Sequence, residues 1–282
     1  MNPTSIIIPA YNEEASIVEV IARVRNVLGS QCEIIVVNDG STDRTGALAA
    51  AAGARVLTNP TNVGYGFSLK RGFQAASHDC AIITDGDGTY PVESLPKLLA
   101  EYERGIDMVV GARQGKTYWS GAAKTIARYC FKWMSEYVVG ARIPDINSGL
   151  RVIRRSKILP LLPELSNAFS FTTSATLLFF LKHYFVSYIP IEYQERQGKS
   201  KVRYIRDALR TMQIMVDIIA KYNPIKLFLL LSLFPLASAT AGLIGLVVFR
   251  QYGWLELSIL STFIGLLIIS LGCLATIFRK TS

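Results

Sequence analysis

The chain has 282 residues, half of them hydrophobic and only 18% charged, and its 30 lysines and arginines outnumber 21 acidic residues to leave +9. That composition excludes intrinsic disorder, because so apolar a chain can build a large core, and the length admits about two domains. The apolar excess is gathered at one end, where Lys226, Arg250 and Glu256 are the charged residues between Pro224 and Phe278, which argues against a wholly soluble protein. Cys32, Cys80, Cys130 and Cys273 form no CxxC pair. Their spacing argues against a zinc knuckle or a disulfide framework and suits a reducing compartment.

Charge is split along the chain. Residues 1–110 carry 8 basic and 13 acidic side chains, residues 111–223 carry 18 and 7, and the tail carries 4 and 1. A basic middle suits an anionic membrane surface, a phosphorylated substrate or nucleic acid. Basic residues beside an apolar tail favour anionic lipid, and the run Arg151–Lys157 lacks the aromatic interleaving of a nucleic-acid patch. It reads instead as a solvated or lipid-facing strand end, and no nucleic-acid partner is expected.

In chain order, Ser5–Pro9 reads as a buried strand, and Ile17, Val18, Val20, Ile21, Val24 and Leu28 recur at helical spacing. Asn12 is the expected N-cap of that helix and Gly29 its end. Strands follow at Glu33–Val37, Arg55–Leu57, Cys80–Thr84 and Met108–Gly111, with helices at Asp43–Ala52, Gly66–Ala76 and Ser94–Glu103 between them. Such alternation predicts an α/β fold with a mostly parallel sheet, and ligands of such sheets bind at the carboxyl ends of the strands. The loops there, Pro9–Glu14, Asn38–Thr42 and Asp85–Tyr90, are polar and rich in turn residues.

Residues 204–222 form a separate amphipathic helix, with Ile205, Leu209, Met212, Met215, Val216, Ile219 and Tyr222 on one face. It suits an ordinary packed helix or an interfacial helix lying on a membrane surface, and its position just before the apolar tail favours the interfacial one. Leu227–Phe249 and Leu255–Phe278 are each long enough to cross a ~30 Å hydrocarbon core. Gln251–Trp254 is the expected turn between them. Lys221, Lys226, Arg279 and Lys280 flank the pair, so the positive-inside bias predicts both termini in the cytoplasm. The expected organisation is a catalytic domain over 1–203, the amphipathic helix over 204–222, and a transmembrane hairpin with a short tail over 223–282.

Asp85-Gly86-Asp87 follows a strand, and two carboxylates so spaced suit a hard divalent metal that also touches phosphate oxygens. Taken alone, the pair fits a solvated Asp-Gly turn equally well. Asp39 ends a second strand and could accept hydrogen bonds from a base or ribose, or serve a turn or cap with Ser41, Thr42 and Asp43. Three polar loops on one sheet edge are more specific than any one of them. Gly64-Tyr65-Gly66 resembles a fragment of a dinucleotide fingerprint, but it lacks the third glycine and does not follow the first strand. Asn62 and Gly64 are expected to shape a turn near the nucleotide instead. His78 and His183 sit in no motif and read as surface or helix-end residues.

Ile8–Glu14, Val36–Thr42 and Asp85–Asp87 resemble the nucleotide-sugar-binding core of family 2 glycosyltransferases, which have the Rossmann-like GT-A fold. Asn147–Arg151, Pro190-Ile191 and Arg196–Lys201 resemble the dolichyl-phosphate mannose synthases and related polyprenyl-phosphate glycosyltransferases, over about residues 4–203. The resemblance implies that Pro9, Tyr11, Glu13 and Asp39 line the nucleoside pocket, together with Gly86, and that Asp85 and Asp87 hold Mg2+ or Mn2+. It implies an acceptor-region role for Arg113 and a phosphate-handling loop with Arg196, Ser200 and Lys201; Lys124 and Arg128 match only loosely. Where those synthases read D-A-D-L-Q, this chain has Asp85-Gly86-Asp87-Gly88-Thr89, so a metal-assisting glutamine is replaced by Thr89.

The expected activity is inverting transfer of one sugar from a nucleotide-diphosphate sugar to a polyprenyl phosphate at the cell membrane, with self-association possible through the hairpin. A processive polysaccharide synthase is the runner-up. It would carry a Q-x-x-R-W motif, and no tryptophan here follows an arginine. A catalytically silent membrane scaffold of the same fold is the third reading, opposed by the intact acidic and basic motif residues.

Overall fold

A computed structural model of the chain describes residues 3–29, 31–114, 122–193 and 204–281, with backbone alone for 122–128, 130, 204–208 and 280–281. The chain divides into two units, Met1–Thr211 and Met212–Ser282.

In the first unit, strands β1 (Thr4–Ala10), β2 (Glu33–Asn38) and β4 (Cys80–Ile83) are almost wholly buried. Strands covered on both faces need continuous apolar runs rather than alternation, and Ile6-Ile7-Ile8, Ile34-Ile35-Val36-Val37 and Ala81-Ile82-Ile83 supply them. β1 pairs in parallel with both β2 and β4, and β3 (Arg55–Thr58) extends the sheet beyond β2. On the other side lie β5 (Met108–Gln114), β6 (Arg151–Arg154) and β7 (Val186–Glu192), in the full order β3-β2-β1-β4-β6-β5-β7. β6 runs antiparallel to β4 and β5; every other pairing is parallel.

β6 corrects one expectation. The start of the run, Arg151–Ile153, is neither solvated nor lipid-facing but is buried inside the sheet, with Arg151 0% exposed, while Arg154–Lys157 stay partly exposed. Its guanidinium donates to Ser148 O (2.8 Å), Ile146 O (2.7 Å) and Thr176 Oγ1 (2.7 Å). Burial is tolerable because those acceptors satisfy it, although desolvation still lowers its pKa.

The helices are α1 (Ile17–Leu28), α2 (Thr45–Ala51), α3 (Tyr65–Ala75), α4 (Leu95–Glu103), α5 (Ala122–Val139), the single turn α6 (Arg155–Ile158) and α7 (Phe171–Leu181). α1 buries Ile17, Val20, Ile21 and Val24, and Gly29 at φ 83° ends it as expected. Asn12 is not its N-cap; Ser16 holds that position. Asn12 instead adopts φ 52°, a region asparagine tolerates, and its Oδ1 accepts the Thr42 N–H at 2.8 Å. Its side chain therefore joins two strand-end loops. α3 lies so close to β1 that a Cβ on Gly72 would come within 2.2 Å of Ile7 Cγ2.

The division between the units falls within α8 (Tyr204–Tyr222), where Met215 and Ile219 are buried while Leu209, Met212 and Val216 stay exposed. α9 (Pro224–Phe249) and α10 (Tyr252–Thr281) pack as a hairpin. Both are long and apolar enough to cross a membrane, each with an 18-residue stretch whose mean hydropathy reaches 2.1 in Pro224–Phe249 and 2.3 in Tyr252–Arg279. Ser232, Pro235, Ala239, Gly242 and Gly245 form the buried stripe of α9. A Cβ on Gly242 would lie 2.9 Å from Trp254 O, and one on Gly245 2.5 Å from the Trp254 ring. Small residues admit this close helix approach, and the hairpin uses it internally. The connector is shorter than expected: Arg250 turns the chain at φ 52° and α10 starts at Tyr252. Trp254 lies inside α10, and its ring stacks on Phe249 with centroids 5.7 Å apart.

Candidate active site

The carboxyl ends of β1, β2 and β4 open on a cavity of about 580 Å3. Pro9, Tyr11, Glu13, Asp39, Asp85, Gly86 and Asp87 all line it, as do Asn62 and Gly64. Three loops far apart in sequence therefore meet as anticipated.

Hydroxyls and carboxylates tie these loops together. Asn12 N–H donates to Ser41 Oγ at 3.0 Å and Glu13 N–H to Thr45 Oγ1 at 2.8 Å. Asp43 accepts from the Thr45 backbone and hydroxyl and from Glu14 N–H. Burial works against its charge, but these donors prevail and hold its carboxyl below the usual range. Ser16 Oγ donates to Gly86 O at 2.7 Å, fastening the start of α1 to the Asp85–Asp87 loop.

Asp39 is 4% exposed. Its carboxylate accepts Asn59 Nδ2 at 2.7 Å, Val63 N–H at 3.0 Å and Gly64 N–H at 2.9 Å. It thereby draws residues 61–64 over the end of β2. Gly40 permits the approach: at φ +69°, a Cβ there would lie 2.5 Å from Thr61 C.

Asp85 and Asp87 are held differently. Asp87 Oδ1 accepts both the Thr89 N–H (3.1 Å) and the Thr89 hydroxyl (2.7 Å), so the residue replacing glutamine orients the second carboxylate. Asp85 Oδ1 accepts the Tyr65 hydroxyl at 2.9 Å. Desolvation, reinforced by the Asp85 charge, raises the pKa of Tyr65 well above that of an ordinary phenol. Among the described residues no group of three or more His, Cys, Asp or Glu could hold a metal. Two carboxylates on one loop fit a hard cation that completes its shell with phosphate and water rather than an all-protein cage.

Arg113 is not among the cavity-lining residues. Its Nε and Nη2 grip Asp145 at 2.7 and 3.0 Å, and its guanidinium lies 5.4 Å from the Tyr193 ring centroid. Arg196, Ser200 and Lys201 fall outside the described residues, as do the side chains of Lys124 and Arg128. Sequence reasoning missed Tyr65, Asn167, Phe169 and Asp145. The first lay inside the glycine pair weighed for a dinucleotide, and the last two residues before the Asn147–Arg151 motif. Asn167 and Phe169 sit in a stretch with no periodic signal.

A family model described as glycosyl transferase family 2 matches residues 5–163. The chain belongs to that family. A dolichyl-phosphate hexose transferase of Haloferax volcanii is 32% identical over 206 residues, covering 70% of this chain and 86% of that protein. An undecaprenyl-phosphate 4-deoxy-4-formamido-L-arabinose transferase of Salmonella paratyphi B is 28% identical, covering 96% of this chain and 86% of its own. Among solved structures, glucosyl-3-phosphoglycerate synthase of Mycobacterium tuberculosis, in complex with Mn2+, UDP-glucose and phosphoglyceric acid, superposes with a TM-score of 0.64. At 21% identity, over 77% of this chain and 79% of that one, the likeness establishes the GT-A fold. The matched span of this family 2 glycosyltransferase takes in every strand from β1 to β6 and both carboxylates of the Asp85–Asp87 loop.

Proposed function

We propose that the chain is a membrane-bound, inverting glycosyltransferase that moves one sugar from a nucleoside-diphosphate sugar to a polyprenyl phosphate. The observation that carries this reading is the convergence of Asp85, Gly86 and Asp87 with Pro9, Tyr11, Glu13 and Asp39 on one cavity. Two relatives named for sugar transfer onto dolichyl and undecaprenyl phosphate support the acceptor class. A protein of the same fold in complex with Mn2+ and UDP-glucose supports a divalent metal.

In this reading Asp85 and Asp87 hold Mg2+ or Mn2+, which when bound supplies counter-charge to the leaving diphosphate. Pro9, Tyr11, Glu13 and Asp39 seat the nucleoside. A lipid phosphate is already anionic at neutral pH, so its oxygen attacks the sugar without a strong general base. What it requires is charge neutralisation by fixed donors. Arg113, with its orientation set by Asp145, and Arg196, Ser200 and Lys201 fill that role. The acidic first third and basic middle of the chain follow from this division of labour. The hairpin of α9 and α10 anchors the enzyme, with both termini on the cytoplasmic side.

The test is to incubate membranes containing the chain with UDP-, GDP- and dTDP-sugars and polyprenyl phosphate, and to identify the product by mass. A glycolipid with one added sugar is expected. A growing polymer would favour a processive synthase, and no transfer from any donor would favour the silent scaffold.

A further inference from the structure

We infer that Tyr65 is a positioning residue that fixes Asp85 for metal binding from outside the Asp85–Asp87 loop. This inference rests on the reading of Asp85 as a metal ligand. The two carboxylates of the loop have unlike supports. Asp87 is oriented by Thr89, two residues away in its own turn. Asp85 takes a hydrogen bond from Tyr65, twenty residues earlier at the start of α3.

Tyr65 is itself clamped. A Cβ on Gly64 would lie 2.8 Å from Asn167 O, and one on Gly66 would lie 2.3 Å from Ser166 O. The glycines on either side of Tyr65 thus let α3 press directly against residues 166–167. Phe169 stacks on the Tyr65 ring, with centroids 5.7 Å apart and planes 17° apart. Lys70 reaches Asn167 Oδ1 at 2.6 Å from the next turn of the helix.

Asp85 is bounded on another side by Gly149, where a Cβ would come within 2.9 Å of Oδ1. The Gly149 N–H donates to the Tyr90 hydroxyl at 2.7 Å. The carboxylate is therefore directed by a phenol from α3 and confined by a glycine from the loop before β6. A hydrogen bond to one oxygen fixes the rotation of the carboxylate plane, and with it the direction offered to a cation. Ligands held in place before binding lose less freedom on binding.

The experiment uses the full chain purified in detergent. Mn2+ is titrated at saturating UDP and, in parallel, at saturating GDP, with unbound Mn2+ read by electron paramagnetic resonance. Tyr65→Phe keeps the ring and removes the donor. A hydrogen bond to a charged group is worth enough that its loss should raise the Mn2+ dissociation constant about tenfold. The Mn2+ concentration giving half-maximal transfer should rise in parallel, while kcat at saturating Mn2+ and the donor KM stay within about twofold of wild type. Wild-type Mn2+ affinity in Tyr65→Phe overturns the inference. So does a fall in Tm and kcat with no change in Mn2+ affinity, which is the signature of a merely structural role. Asp85→Asn separates the two levels. If it loses Mn2+ while Tyr65→Phe does not, the metal reading stands and the clamp is wrong. If Asp85→Asn binds Mn2+ like wild type, the metal reading fails and the clamp with it.

Discussion

Asp87 and Asp145 are both acidic residues held by short hydrogen bonds, yet they call for opposite tests. Asp87 lines the cavity, and Asp87→Ala should abolish turnover while the chain stays folded, because the leaving diphosphate loses counter-charge. Near-normal activity of that variant in EDTA would defeat the metal assignment. Asp145 is 3% exposed and paired with Arg113. Burial raises its pKa, but the hydrogen bonds and charge of Arg113 outweigh that and leave it lowered. A depressed folded pKa gives stabilisation that is whole above the unfolded value and lost as pH falls through the folded one. Thermal unfolding of the full chain should therefore move to lower temperature on acidification below about pH 4. Asp145→Asn should flatten that limb and, by removing the charge that the partly buried Arg113 guanidinium grips at 2.7 Å, destabilise the neutral protein by ~1–3 kcal/mol. An unchanged acid limb in the variant would mean that other carboxylates set it. Arg196→Ala and Lys201→Ala should each lower transfer to polyprenyl phosphate at least about tenfold. Nucleotide affinity measured without acceptor should fall much less; proportional loss would assign these residues to the donor diphosphate.

At the scale of elements, the parallel half of the sheet was legible because β1, β2 and β4 are apolar runs closed by turn residues, and α1, α3 and α4 each show one apolar face. β6 was not legible. Its four residues include two arginines, and only the folded loop at 146–148 reveals that Arg151 has internal acceptors. α7 carried no amphipathic signal because Phe171–Phe179 are buried on all sides. The strand-end loops of the cavity were readable since strand ends follow from the βα alternation, whereas Tyr65 and Phe169 meet only through tertiary packing. Helix placement is tight enough to test. Gly72→Ala forces Ile7 to move under α3, and overpacking of this kind costs about 1–3 kcal/mol. A Tm equal to wild type would show that β1 yields more easily than its burial indicates.

Across the whole molecule, the proposed orientation is open to direct labelling. Tags before Met1 and after Ser282 should both report the cytoplasm, and Gln251–Trp254 should label from outside; a C-terminus on the outer face would mean that α9 or α10 does not span. The reversed strand β6 also sets an order of events during synthesis. β1 to β4 emerge consecutively and can pair at once, so the three strand-end loops of the cavity are complete when Tyr90 leaves the ribosome. β5 emerges next with neither neighbour available, because among the described residues it pairs with β6 and β7, and β6 begins at Arg151. At ~5–20 residues per second of translation, β5 waits seconds for a partner, with the apolar run Met108-Val109-Val110 at its start. An unpaired strand of that kind is a target for wrong partners. Nascent chains stalled so that Gln114 but not Arg151 has cleared the ribosome should be where a chaperone engages this protein.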